Sequence, residues 1–286
     1  TNTIITAASS GTSTVVYTAG GSDASNRQSL RDLRVTGATG GTGNNNSGIL
    51  FSGGSMGYFT IENIVSTNNA GHGLVSNLAP ASATLTDVII TGSAFSNNGS
   101  AGIRTASHSV DGFNLTNSTF TSNSGLGLAF NTSDNATAQI GGVTLNGVTF
   151  SGNISGINNT ADLYAFRMLG NMSLTNVDFL GSTGRGLFGL YLLGGYVNQA
   201  SAPAIGTVIL NDVTVSGTYT SAGISFLGYS NLAGVSMADV VLNTTVPTAD
   251  RGHMRLSGVA GTLDLGNTAF GGTCLLYTSP SPRDRG

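Results

Sequence analysis

The sequence contains no Lys and no Trp, and it has a single Cys, Cys274, and a single Glu, Glu62. Charged residues make up 8% of the chain, and the formal net charge at pH 7 is −3. Because there is no basic stripe, we expect no nucleic-acid partner. No apolar run reaches the length of about 18 residues that a membrane-spanning helix needs, so we expect no membrane span. One Cys also excludes a framework of internal disulfides.

Apolar residues are nevertheless plentiful, at 39% of 286 residues, together with 43 Gly. This composition is typical of a chain that buries a core and is not disordered. With so few charges, the surface must be polar mainly through Asn, Ser and Thr.

Residues 274–286 differ from everything before them. This stretch, CLLYTSPSPRDRG, holds the only Cys and two of the five Pro, and it resembles the translation of a sequencing adapter. Such segments are excluded from fold reasoning. We therefore expect one domain over residues 1–273, cut at both ends, followed by a non-native tail.

A hexamer recurs through the chain at intervals that average near 29 residues. Its first position is apolar, its sixth usually is, and its third is always Asn, Asp or Gly. These three residue types tolerate left-handed backbone at the least cost, so the third position predicts a bend between two short strands. The nine bend residues are Asp32, Asn63, Gly92, Asn117, Gly147, Asn176, Asp212, Asp239 and Asn267.

A Gly followed by an aliphatic residue comes after most hexamers, as in Gly73-Leu74, Gly102-Ile103 and Gly127-Leu128. A polar turn separates the two features, and a further short apolar run follows. Three short strands per unit, without a helical stretch, predict an all-β parallel solenoid of nine to ten coils.

These motifs resemble the repeat of the right-handed parallel β-helix proteins of the pectin-lyase-like superfamily. That group includes secreted polysaccharide lyases and hydrolases, phage tailspikes and surface adhesin passengers. The resemblance extends from about Leu30 to the tail, and it implies that the bend column around Asn117 forms an internal ladder of stacked side chains. It is specific for the fold and not for the function, because the repeat residues form the scaffold.

Candidate chemistry is sparse. The triplet GHG around His72 occurs in polygalacturonases of this fold, but the aspartates that accompany it there are missing, and an acid-pair mechanism needs two converging carboxylates. Asp32, Asp212 and Asp239 occupy the bend column, where a backbone role explains them without calcium. The loop at residues 40–48 matches the nonapeptide calcium repeat only in part, and only once. We therefore expect no catalytic residue, no metal and no cofactor.

The aromatic-rich region between Tyr164 and Tyr229 is the best candidate for carbohydrate contact, because sugar rings stack on aromatic side chains. In this strand Arg167 should face water. Because side chains alternate between the two faces of a strand, Tyr164, Phe166 and Met168 are then predicted to point to the interior. The segment 188–201 belongs to the longest repeat unit and is the first place to look for a binding loop. The candidate contact residues are Arg185, Tyr191, Tyr196, Asn198 and Tyr229.

Two functions are consistent with the sequence. In the first, the chain is a non-catalytic structural or adhesive segment of a large secreted or cell-surface bacterial repeat protein, whose partners are polysaccharide or a cell surface. In the second, it is a fragment of a polysaccharide lyase or glycoside hydrolase. We favour the first, because no cluster of outward carboxylates recurs on neighbouring coils. Because we see no cap where the repeat stops, we also expect end-to-end self-association.

Overall fold

The structure is a computed structural model. It describes residues 3–7, 10–40, 43–106, 108–130, 138–153, 161–181, 187–193, 205–227, 232–245, 253–256, 259–271 and 277–278. Within these ranges the chain is all-β, and the only helical element is a short 3-10 turn at Asn44–Asn46. The predicted fold class, a parallel β-solenoid, is confirmed.

The strands are short in the first coils and longer in the later ones. They are β1 (Thr3–Thr6), β2 (Val15–Tyr17), β3 (Gln28–Arg31), β4 (Leu33–Thr36), β5 (Ile49–Gly53), β6 (Met56–Glu62), β7 (Val65–Thr67), β8 (Leu74–Leu78), β9 (Thr84–Thr91), β10 (Ala94–Ser96), β11 (Ile103–Thr105), β12 (Ser109–Thr121), β13 (Leu128–Phe130), β14 (Ile140–Ser151), β15 (Ala161–Phe166), β16 (Met172–Phe179), β17 (Phe188–Leu193), β18 (Ile205–Thr218), β19 (Ala222–Leu227), β20 (Leu232–Thr245), β21 (Met254–Leu256), β22 (Val259–Asp264), β23 (Ala269–Phe270) and β24 (Tyr277–Thr278).

All of these strands pair in parallel within two sheets. Sheet one follows the order β1-β4-β7-β10-β12-β14-β16-β18-β20-β22, with β3, β6 and β9 forming a second row that joins β12. Sheet two follows the order β2-β5-β8-β11-β13-β15-β17-β19-β21-β24. The solenoid has about seven turns, and sheet two has ten strands among the described residues. Every neighbouring pair of strands in sheet two has a defined register.

Most coils contribute three strand segments, of which two flank a bend in sheet one and the third lies in sheet two. In the early coils the bend separates two strands, such as β3 and β4 on either side of Asp32. In later coils the pairing continues through the bend, so that β12 is one strand of 13 residues with Asn117 inside it.

The main core fills the interior between the sheets, and the hexamer supplies much of it. Phe95, Phe120, Phe150 and Phe179 occupy its sixth position in successive coils and are fully buried. Their rings stack with centroid separations of 5.4, 4.8 and 4.9 Å. Parallel in-register pairing places identical side chains above one another, which is why a sequence repeat becomes a continuous column.

A second apolar cluster lies on the opposite, outward face of sheet two. It contains Tyr164, Phe166, Phe188 and Tyr191, whereas their strand neighbours Leu163 and Ala165 belong to the main core. The prediction that Tyr164 and Phe166 point to the interior was therefore wrong. Arg167 has a left-handed backbone, with a φ of 57°, which interrupts the alternation of side chains between the two faces of the strand. Of the three predicted residues, only Met168 belongs to the main core.

Candidate functional site

A column of hydroxyl side chains runs along the outward face of sheet one through six consecutive coils. Its members are paired residue to residue by the strand registers: Thr6, Thr36, Thr67, Ser96, Thr121 and Ser151. Two neighbouring members are in direct contact, since the Ser96 hydroxyl donates to that of Thr67 at 3.1 Å. Parallel pairing spaces such groups by about 4.8 Å. Thr67 is buried, whereas the other five members are exposed or half-buried and present both donors and acceptors.

The candidate carbohydrate residue Tyr191 is not exposed as a sugar platform. It is 5% exposed, and its ring stacks on Phe188 at 4.3 Å and lies 5.6 Å from that of Tyr164. In the segment 188–201, residues 188–193 are the buried strand β17, and the rest lies outside the described residues. Arg185, Tyr196, Asn198 and Tyr229 also lie outside the described residues.

The bend column lies on the outside of the solenoid. Eight of its nine members have a positive φ, for example 47° at Asn117 and 66° at Gly147. Asn267 is the exception, because the left-handed residue in that coil is Gly266. Side-chain bonds join only parts of the column, as where the Asn63 amide donates to Asp32 at 3.1 Å and that of Asn267 donates to Asp239 at 3.2 Å.

A ladder of buried Asn side chains lies at another position of the repeat, which the sequence analysis did not single out. One buried Asn per coil, three residues after the hexamer, points inward in four consecutive coils: Asn69, Asn98, Asn123 and Asn153. Successive Nδ2 to Oδ1 distances are 3.0, 2.9 and 2.9 Å. Sequence reasoning missed this ladder, although the recurrence of Asn at that position was visible, because the stretch has the composition of an exposed polar turn.

The ladder ends on an acid. Asn153 donates from Nδ2 to Oδ1 of Asp162 at 2.9 Å, and the Tyr219 hydroxyl donates to Oδ2 at 3.2 Å. Asp162 replaces the repeat Gly in its column, since it is aligned with Gly127 of the preceding coil through the pairing of Leu163 with Leu128. Burial raises the pKa of Asp162 to about 7, against the opposing effect of both hydrogen bonds. Burial is also the main cause that raises the pKa of the Tyr219 hydroxyl. The negative charge of Asp162 raises it further.

A Ser–His pair also lies inside the core. The Oγ atom of Ser76 is 3.0 Å from Nε2 of His108, and both residues are completely buried. Nucleophilic catalysis needs a serine that a substrate can reach. The buried position of this pair therefore gives it a packing role.

Asn44, His72 and Arg104 come from three consecutive coils and meet beside sheet two. Nη1 of Arg104 lies 3.3 Å from Oδ1 of Asn44 and 3.4 Å from Nε2 of His72. His72 is 1% exposed, and Arg104 is half-buried on the outward side of β11. Burial lowers the pKa of His72 to about 3, and the positive charge of Arg104 contributes to this shift. The imidazole is therefore neutral. Burial also lowers the pKa of Arg104. We call these three residues the Arg104 cluster.

Within the described ranges, no three His, Cys, Asp or Glu side chains are grouped so that they could hold a metal ion. The described residues also include no helix that is long and apolar enough to cross a membrane. No protein-family model, curated protein or solved structure matches this chain.

Proposed function

We propose that this chain is a non-catalytic structural and adhesive segment of a large secreted or cell-surface repeat protein, and that it contacts polysaccharide at a cell surface. The observation that carries the proposal is the row of hydroxyls on sheet one, in register from Thr6 to Ser151. Sugars present hydroxyl groups that also donate and accept, so each coil whose row hydroxyl is accessible can add one weak hydrogen bond to an extended glycan. Repetition of weak contacts along one rigid face gives avidity without a deep cleft.

The surroundings of the row support contact more than catalysis. In two neighbouring coils the flanking outward position is also a hydroxyl, since Thr119 pairs with Thr149; the same column continues to Ala94 and Asp178. The most perturbed carboxyl group among the described residues, Asp162, is 4% exposed and bonded within the core. A general acid must reach the glycosidic oxygen of its substrate, and Asp162 lies on the interior side of the fold.

A binding and turnover experiment tests the proposal. The purified chain is incubated with a panel of insoluble polysaccharides and with bacterial cells, and both retained protein and released product are measured. We expect retention on at least one glycan or cell surface, with no new reducing ends and no unsaturated uronides. Release of either product above a heat-treated control would refute a non-catalytic role, and failure to bind every surface would refute the adhesive role.

Matched variants locate the contact. Thr121→Arg places a large side chain in the hydroxyl row, where Thr121 is exposed, and Asn77→Arg places the same side chain at an exposed position of sheet two. We expect retention to fall about tenfold for Thr121→Arg, the size of losing a few weak contacts, and to stay unchanged for Asn77→Arg. Equal retention of both variants would show that the row is not the contact surface.

A further inference from the structure

A second column of left-handed backbone lies in sheet one, ahead of the hexamer bends. The strand registers align Tyr58, Asp87, Gly112 and Gly142 in four consecutive coils, and their φ values are 57°, 48°, 76° and 58°. Asp and Gly accept this conformation at low cost, whereas a bulky residue there is an outlier. Apart from Arg167, every other non-glycine residue with a positive φ in the described ranges is Asn, Asp or Ser. Tyr58 therefore carries backbone strain that the neighbouring coils avoid.

The contacts of the Tyr58 side chain do not account for this strain. The side chain is partly exposed, and within the part of the chain that the structure describes its hydroxyl forms no hydrogen bond and its ring stacks on no other aromatic ring. Tyr17, by contrast, packs edge-on against Phe51 and Phe59 and donates to the Ser29 carbonyl. Backbone strain that is kept at one residue of a repeat points to a function for that residue.

The groups next to Tyr58 along the solenoid are an acceptor and bare backbone. Asp87 lies one coil further on, about 4.8 Å along the axis, and Arg27 donates to both of its carboxylate oxygens, at 2.7 and 3.1 Å. Each oxygen keeps a lone pair for a further donor, and the Asp87 side chain is 31% exposed. Gly112 follows, where an added Cβ atom would meet only the backbone of Asp87, at 3.6 Å. A ligand that rests on Tyr58 can therefore reach the Asp87 carboxylate.

We infer that Tyr58 and Asp87 form a subsite for one sugar ring of an uncharged glycan. The apolar face of the sugar stacks on the Tyr58 ring, and one sugar hydroxyl donates to the Asp87 carboxylate. Arg27 is already paired with Asp87, and the exposed Asp111 of the next coil adds negative charge, so an acidic glycan is disfavoured. The inference rests on the proposed function for its class of ligand, but the subsite occupies a different column from the hydroxyl row.

A titration tests the subsite directly. Uncharged hexasaccharides of glucose, xylose, mannose and N-acetylglucosamine, and the acidic hexasaccharide of galacturonate, are each added to the folded chain with ¹³C-labelled Tyr, and the Tyr58 ring resonances are followed by NMR. We expect saturable shifts with at least one uncharged hexasaccharide and none with the galacturonate hexamer. No saturable shift with any uncharged sugar, or an equal shift with the acidic one, would overturn the inference.

Variants separate the ring from the bend that carries it. Tyr58→Asn should raise the dissociation constant for the bound hexasaccharide about tenfold, the size of losing one stacking contact, and Tyr58→Phe, which keeps the ring, should bind more tightly than Tyr58→Asn. Asn117→Gly is the matched control, because it changes a left-handed residue of the other bend column, and it should leave the constant unchanged. Equal affinities of wild type and Tyr58→Asn would contradict the inference.

Stability distinguishes a binding role from a packing role. Because Asn tolerates the left-handed backbone better than Tyr does, Tyr58→Asn should unfold at the same urea concentration as wild type or at a higher one, as expected when a residue is kept for function. A lower urea midpoint for Tyr58→Asn would show that the ring is retained for packing and would overturn the inference.

The outcome is independent of the hydroxyl row. Thr121→Arg, in that row, should leave the Tyr58 shifts unchanged. If no sugar shifts Tyr58 while the chain is still retained on an insoluble polysaccharide, the subsite is wrong and the adhesive function stands. If retention also fails, both are wrong.

Discussion

The side chain of Asn98 donates from Nδ2 to Oδ1 of Asn123 at 2.9 Å, and the same oxygen accepts the backbone N–H of Asn98 at 3.2 Å. The second Nδ2 proton of Asn98 reaches the Ser66 carbonyl at 3.2 Å. Every polar atom of this buried amide is therefore bonded, and it joins three consecutive coils. Such a fully satisfied network stabilises one arrangement of the coils, because any shift in register leaves buried donors and acceptors without partners.

Asn98→Ala should lower the free energy of unfolding by at least about 2 kcal/mol, since it removes the acceptor of the buried Asn69 N–H and a donor to the Ser66 carbonyl, and a buried group left without a partner costs about 1–3 kcal/mol. Urea denaturation followed by circular dichroism measures the change. Asn77→Ala is the control, because Asn77 is an exposed strand residue, and its effect should stay within about 0.5 kcal/mol. Equal losses in the two variants would mean that the ladder contributes nothing particular.

Asp162→Asn should stabilise the protein at pH 8. The pKa of Asp162 is raised by burial from 3.8 to about 7, so the folded state holds this proton between those pH values while the unfolded state has lost it. Stability therefore falls as pH rises from 3.8 to 7, by a few kcal/mol in total. An Asn at this position keeps an acceptor for the Asn153 amide and has no charge to bury.

The test is a set of urea denaturation curves between pH 4 and 8. The advantage of Asp162→Asn should be greatest at pH 8 and should be nearly lost near pH 4, where Asp162 is neutral in the folded state and about half protonated in the unfolded state. Asp178→Asn, on the outward face of sheet one, should follow the wild-type curve. A constant difference between Asp162→Asn and wild type at all pH values would exclude ionisation as the cause.

His108 should produce the opposite pH dependence on the acid side. Burial lowers its pKa from 6.5 to about 4, so the unfolded state binds this proton first. The stability that depends on a neutral His108 is complete above pH 6.5 and is lost as pH falls toward 4. His108→Gln should therefore flatten the stability curve between these values, as measured by denaturant midpoints. The idea fails if the variant and the wild type lose stability in parallel over that interval.

The bend at Asn117 should accept Gly but not a β-branched residue. Its φ of 47° is left-handed, and Gly92 and Gly147 adopt the same conformation in the neighbouring coils. Asn117→Gly should change the free energy of unfolding by less than about 1 kcal/mol, and Asn117→Val should lower it by about 1–2 kcal/mol more. Thr119→Val, two residues further along the same strand, controls for the added apolar surface. If Asn117→Val were no more destabilising than Thr119→Val, the strain argument would be wrong.

The repeat was readable from the sequence because it depends on local chemistry. A left-handed bend accepts only a few residue types, so Asn117, Gly147 and Asp212 could be aligned without knowing the fold. Phe120 and Phe150 at the sixth hexamer position were equally predictable as core, because alternation within one short strand fixes which side chains share a face.

The faces of sheet two were less predictable. Alternation predicted one buried side for Tyr164 and Phe166, but both sides of this sheet are buried, and Arg167 resets the register with a left-handed backbone. The sequence pattern for Tyr191 suits a side chain exposed for binding and one packed against Phe188 equally well. Only the stacking of neighbouring coils distinguishes these alternatives.

Local sequence thus determined the strands, the bends and the parallel solenoid, because each coil repeats the same backbone requirement. The tertiary structure decided which polar groups became functional candidates. Asn44, His72 and Arg104 are separated by a coil at each step in sequence, and they meet only because in-register stacking places them side by side. The same stacking turns a recurring polar turn into the ladder from Asn69 to Asn153 and encloses Asp162 at its end. Burial there raises the pKa of the Asp162 carboxyl group, an effect that the sequence does not show.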